Sequence, residues 1–144
     1  MKPLLTIAVI LLSASGPMLA QGGNPKPAAQ AQRIARGKYI VEGLSRCQQC
    51  HTPHNEQGNP DNRHPLDGAP VWLQPVTPPA DWPLKAPRIA GTLSASDAEL
   101  VRLLTTGIWK DGKPLRQPMP QFRMTQEDAE AVVAYLRSLR PERP

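Results

Sequence analysis

The only two cysteines of this 144-residue chain stand three positions apart and are followed at once by a histidine, in Cys47-Gln48-Gln49-Cys50-His51. No other feature of the sequence restricts the fold as tightly. C-x-x-C-H is the attachment signature of c-type haem. Two thioethers at this spacing reach the two vinyl-derived carbons of one porphyrin, and the next residue meets the iron with its imidazole from the same side. Two other readings of these residues stay open at this point. A thioredoxin-like redox pair also uses C-x-x-C, but it needs alternating strands and helices, and no such pattern surrounds the motif. A zinc site could draw on Cys47, Cys50, His54 and His64. Its histidines would then stand ten apart rather than the usual four to six, and His51 would have no role.

Composition sharpens the haem reading. Eighteen residues are proline, or 12.5 % against about 5 % in average chains. Proline and glycine together make 28 residues, still short of the roughly 25–30 % that marks disorder. Prolines break strand ladders, so a large sheet is excluded. Six aromatic residues supply little core volume, and a large flat cofactor would supply the rest. Nine of the prolines fall between Pro53 and Pro87, where no periodicity is visible. A loop of that length in a compact domain wraps something or performs a function.

The first twenty residues have the layout of a secretory signal peptide. Lys2 is a short positive region, Leu4 to Leu12 an apolar run, and Gly16, Pro17 and Ala20 lead to a cleavage position. An uncleaved anchor is the alternative, although the run is shorter than the ~20 residues of a membrane span. Residues 21–30 read as a flexible lead-in and 31–144 as one domain. Loss of residues 1–20 lowers the formal charge from +5 to +4. That balance is too small and dispersed to indicate nucleic acid, and it suits an acidic protein surface.

Three helices are predicted. The first runs from Ala31 to Leu44, with Ile34, Gly37, Val41 and Leu44 on one face. The second starts near Ser94 or Ser96, where Ser96 and Glu99 have capping-box spacing, and ends at Gly107. The last follows Thr125 and Asp128, carries Val132, Tyr135, Leu136 and Leu139 on one face, and stops at Pro141. Met119 lies between Pro118 and Pro120, which hold the backbone extended and stiff. Met124 stands where a residue staples onto the first turn of the last helix. Met119, Met124, His54 and His64 are therefore the candidates for a second iron ligand.

The attachment motif, Pro118-Met119-Pro120, Ala35-Arg36-Gly37-Lys38-Tyr39 and Ala134-Tyr135-Leu136 together resemble the class I c-type cytochromes over about residues 31–140. The resemblance implies an all-α class I cytochrome c fold, with three to four helices wrapped around one covalently bound haem and a long Pro-rich loop. It implies one haem c attached through Cys47 and Cys50, with His51 and Met119 as axial ligands. In that family a glycine of the first helix meets the last helix near its aromatic, which points to Gly37. A proline carbonyl there fixes the ligand histidine, and Pro65-Leu66-Asp67-Gly68 resembles that segment, which makes Pro65 the candidate. Arg88 and Trp109, with Trp72 and Trp82, are candidates for the haem propionates; a core or solvent role remains open for each.

A His/Met-ligated iron has no open position and passes single electrons, and its soft thioether raises the potential. The implied protein is a periplasmic electron carrier of a respiratory chain rather than an enzyme. Its partners would be redox proteins, with a dehydrogenase or quinol-oxidising complex as donor and an oxidase or reductase as acceptor. Nucleic acid is not among them, and membrane association follows only if the signal segment stays uncleaved. Lys110, Lys113, Arg116, Arg123 and Arg46 would steer acidic partners. Cys50-His51-Thr52-Pro53 and Arg116-Gln117-Pro118-Met119-Pro120 also resemble cytochrome domains of membrane-associated dehydrogenases, so an electron-transfer subunit is the alternative. A haem enzyme or gas sensor is a third reading and requires an exchangeable sixth ligand.

Overall fold

Gly37 sets the geometry of the frame. In the computed structural model, which describes residues 25–91 and 94–139, the first and last helices cross at this residue. A Cβ added to Gly37 would lie 1.9 Å from the Ala131 carbonyl oxygen and 2.7 Å from Cβ of Tyr135. Only glycine permits backbones to approach so closely. The first helix, α1 (Pro25–Lys38), continues into a π-helical turn, Tyr39–Leu44. A single turn, α2 (Gln48–His51), carries the attachment motif. After the Pro-rich segment come α3 (Asp97–Thr106) and α4 (Gln126–Ser138). Two short strands, β1 (Ala69–Pro70) and β2 (Lys85–Ala86), pair antiparallel with Ala69 opposite Ala86. The described residues are mostly helical, as the resemblance implies, with the strand pair as a small addition.

The caps follow local chemistry. Ser96 and Glu99 form the full capping box on α3: Glu99 N–H donates to Ser96 Oγ at 3.3 Å and Ser96 N–H donates to the Glu99 carboxylate at 2.8 Å. Gly107 ends α3 in the left-handed region at φ 72°. On α4, Asp128 N–H donates to Thr125 Oγ1 at 3.2 Å. The return half of that box is missing, because the Asp128 carboxylate accepts the Arg36 guanidinium of α1 at 2.8 and 3.2 Å. That pair holds the Asp128 carboxyl below its usual range.

Two sequence expectations change. Residues 25–30, read as part of a flexible lead-in, form the start of α1. Pro25 and Pro27 fall in the first turn, where a helix needs no N–H donor, and Ala28, Ala29 and Ala31 are strong helix formers. Residues 26–30 are all exposed, so they lack the apolar stripe that would have marked them. The end of the expected Ala31–Leu44 helix is π-helical: Ser45 N–H donates to Ile40 O at 2.8 Å, five residues back. The expected signal segment 1–20 and the helix stop at Pro141 lie outside the described residues.

The core gathers Ile40 and Val41 from the π-turn, Leu100 and Leu104 from α3, and Ala129, Val132, Val133, Tyr135 and Leu136 from α4. Tyr135 is the single aromatic in that buried cluster, and its hydroxyl donates to Glu42 of the π-turn. No helix among the described residues is long and apolar enough to cross a membrane.

Gly37→Ala is expected to lower stability by about 1–3 kcal/mol from overpacking, more than the ~1 kcal/mol that alanine returns in helix propensity; chemical denaturation measures it. Asp128→Asn should be less stable than the parent at neutral pH. Because the folded carboxyl is depressed, that difference holds above its ordinary value of 3.8 and fades as pH falls through the lower folded value. Denaturation of both proteins across pH 2–7 checks the sign.

Candidate functional site

Four segments enclose a largely apolar cavity of about 610 Å³: α2, the Pro-rich segment, α3 and the turn that carries Met119. Cys50, His51, Arg88, Trp109 and Met119 all stand on its wall. His51 is buried, at 6 % exposure. Its Nδ1 lies 2.7 Å from the Pro87 carbonyl oxygen. A carbonyl only accepts, so Nδ1 carries the proton and Nε2 keeps the lone pair that can bind a metal. Burial pushes the His51 pKa down, against a smaller upward pull from the Pro87 bond. The ring is thus neutral and fixed in orientation, with its lone pair at Nε2.

Pro87 replaces Pro65 as the orienting carbonyl. Pro65 is exposed and does not line the cavity. The reason lies in how the loop is pinned. Leu66 N–H donates to the buried Thr52 Oγ1 at 2.9 Å, and Gly68 N–H donates to His51 O at 2.7 Å. Residues 64–68 are therefore tied to the end of α2 and its main chain, away from the ring. Gly68, at φ 85°, lets the returning strand pass close by; a Cβ there would sit 2.8 Å from Arg88 N. That return carries Pro87 to the His51 ring. Nothing periodic distinguishes Pro87 among its eight neighbours in sequence, and Gly68 is the one local hint of a close approach.

The cysteines share one helical turn. Cys47 caps α2, Cys50 lies within it, and no disulfide joins them. Cys50 faces the cavity, whereas Cys47 packs against the core. Burial pushes the Cys47 thiol up to about 11. The turn is set by the π-helical exit: Cys47 N–H donates to Val41 O at 2.9 Å, and Gln48 Nε2 satisfies Glu42 O at 2.9 Å.

The two downstream methionines separate clearly. Met119 lines the cavity; Met124 does not, and packs on the core while its N–H donates to Leu104 O at 3.1 Å. Met119 sits in a turn closed by its N–H on Arg116 O at 3.2 Å, rather than in the extended segment its prolines suggested. The Gln117–Pro118 bond of that turn is cis. His54 meets Trp72 edge-on with ring centroids 6.5 Å apart, and His64 lies 3.7 Å from Asp67. Neither histidine lines the cavity. The cysteines and histidines of the zinc reading do not converge, and no group of three metal-binding side chains forms among the described residues.

Arg88 stands on the cavity wall and pairs with Asp67 at 3.3 Å. Trp109 stands there too, with Lys110 Nζ 5.7 Å from its ring centre. Trp72 joins them, its Nε1 donating to Gln49 O at 3.1 Å, while Trp82 lies outside.

An apolar cavity with a fixed neutral imidazole, a thioether and adjacent thiols suits haem c. The sequence profile of the family described as Cytochrome c matches residues 34–140. The chain belongs to the cytochrome c family. It is 30 % identical over 131 residues to a diheme cytochrome c-type protein of Cereibacter sphaeroides, covering 88 % of this chain and 40 % of that one. It is 33 % identical over 112 residues to the fructose dehydrogenase cytochrome subunit of Gluconobacter japonicus, covering 72 % of this chain and 21 % of that one. The cytochrome therefore spans less than half the length of these curated relatives. The family binds haem c covalently and carries electrons, and the resemblance to dehydrogenase cytochrome subunits is real.

Thr52→Val keeps shape but leaves the buried Leu66 N–H without its acceptor. The holo-cytochrome is expected to lose about 1–3 kcal/mol, read by denaturation.

Proposed function

We propose that this cytochrome is an exported, periplasmic carrier of single electrons, holding one haem c through Cys47 and Cys50 with His51 and Met119 as axial ligands. One observation carries the reading: His51 and Met119 share a cavity from which Met124, His54 and His64 are absent. Bound haem c supplies a one-electron Fe(III)/Fe(II) couple. The protein does the rest. Pro87 orients His51 so that Nε2 is the ligand nitrogen. The Met119 thioether is soft and favours the reduced metal. Leu100, Leu103 and Trp109 give the cavity an apolar wall, which would disfavour the extra charge of the oxidised state and raise the potential. With His51 and Met119 both placed to hold the iron, bound haem would have no open position for a substrate, so the cytochrome would pass electrons rather than catalyse a reaction.

Export is supported by Lys2 and the apolar run Leu4 to Leu12. Redox proteins are the partners: a dehydrogenase or quinol-oxidising complex as donor, an oxidase or reductase as acceptor. The cavity wall carries Lys85, Arg88, Lys113 and Arg116 against the single acid Asp111, a balance that steers acidic partners. Service as the cytochrome subunit of a dehydrogenase is the second reading, favoured by the likeness to the fructose dehydrogenase cytochrome subunit.

Potentiometric titration with reduced-minus-oxidised spectra tests the ligand assignment. Met119→Ala should lose the weak red-region thioether band and drop in potential by on the order of 100 mV or more, since axial ligands set haem potentials over ~0.8 V. Met124→Ala should keep band and potential and lose only stability, about 2 kcal/mol. The reverse pattern would transfer the role to Met124. Carbon monoxide should leave the reduced parent spectrum unchanged; a shifted spectrum would favour a haem enzyme or sensor.

A further inference from the structure

Six large apolar side chains stand exposed among the described residues, and four of them, Trp72, Leu73, Val76 and Leu84, belong to one segment. This is the excursion 71–84, which leaves from β1 and returns through β2. Its fourteen residues hold four prolines and a single charge, Asp81. Val76 is fully exposed and Leu84 is 80 % exposed. Trp72 and Leu73 also line the cavity, so Val76 and Leu84 are the side chains that face water outright, and large apolar side chains kept in water on one segment mark an interaction site.

The excursion is fastened at several points. Val71 N–H donates to Leu84 O at 3.0 Å and closes its neck. Trp72 Nε1 donates to Gln49 O and Trp82 Nε1 to Leu73 O, each at 3.1 Å. Both indoles thus commit their only donor internally, and the prolines fix their own backbone. Such a surface loses little conformational entropy when it is covered.

Its position links it to the electron-transfer site. Val71, Trp72 and Leu73 form part of the wall of the cavity that holds His51 and Met119. Asp81 accepts Arg116, from the Met119 turn, at 3.4 Å, so excursion and turn make one surface. The excursion's single acid is matched by that pair. Lys85 and Lys113, on the same wall, make no ion pair among the described residues. The surface therefore has an apolar centre and a basic edge.

We propose that the excursion 71–84 is the docking platform for the redox partner protein, which presents an apolar patch rimmed by carboxylates. The proposal rests on the electron-carrier reading and adds the surface and the chemistry of the partner to it. The apolar centre supplies affinity, and the basic edge sets orientation and encounter rate. A contact centred on large apolar side chains outlasts one held by charge alone, as subunit contacts do.

The test uses the full-length holo-cytochrome and the double variant Val76→Asp/Leu84→Asp. Neither residue lines the cavity, so potential and reduction by ascorbate should match the parent. The rate of haem reduction by a cell extract of the source organism should fall about tenfold or more in the double variant. Lys113→Glu should slow the same reaction chiefly at low salt. A double variant reduced at the parent rate overturns the docking platform alone. A parent protein that the extract does not reduce at all overturns the electron-carrier reading, and the platform with it. Light scattering that shows a parent dimer dissolved by the double variant assigns the face to a second copy, and parent-only binding to phosphatidylcholine vesicles assigns it to lipid; either result overturns the proposal.

Discussion

The hydrogen bond from His51 Nδ1 to Pro87 O, 2.7 Å long and partly buried, joins two distant parts of the chain. One end belongs to the attachment turn and the other to the residue just after β2, thirty-six positions on. It settles which nitrogen can bind iron and which way the ring faces. Several contacts of the chain between the two residues bring them together. Gly68 N–H on His51 O and Leu66 N–H on Thr52 Oγ1 fasten the outgoing chain to α2. The β1–β2 pair then reverses it. The prolines between are consistent with this task, since each removes freedom from a segment that forms almost no ladder of its own. Disorder would have spread them along the chain; here half of the eighteen fall between Pro53 and Pro87.

The helical frame solves a separate problem. Ala131 is small, and Gly37 is smaller still, so α1 and α4 can lie backbone against backbone. That close crossing places the π-turn over α4, where Tyr135 reaches Glu42. The π-turn in turn delivers Cys47 into α2 through the bond to Val41 O. A wider crossing would displace the attachment motif, so the packing of one glycine bears on where His51 stands. The link from sequence to function runs through helix spacing before it reaches any reactive atom.

Legibility followed the range of the physics. Ser96 with Glu99, and Thr125 with the Asp128 N–H, are contacts between residues three apart, and the sequence displays them directly. Gly37 was readable because glycine inside a helix is unfavourable and asks for a reason. The separation of Met119 from Met124 was readable because a staple position has its own signature. Pro87 was hidden, since its role depends on a chain reversal that no local rule encodes. Residues 25–30 were hidden for the opposite reason: they are helical by propensity alone and bury no stripe. The missing return bond on α4 was hidden because Arg36, ninety-two residues away, competes for the Asp128 carboxylate.

The shortage of aromatic residues now connects to the cavity. A single tyrosine serves the buried cluster, and beside it lies a space of about 610 Å³. Without a group to fill it, Leu100, Leu103 and Trp109 would face water. Haem c, which the family binds covalently, would cover them and complete the core. Attachment through Cys47 and Cys50, as proposed, would make that part of the core permanent. A cofactor that both supplied core volume and exchanged electrons would not leave between turnovers, so on the proposed reading the electron travels and the partner comes to the cavity's edge.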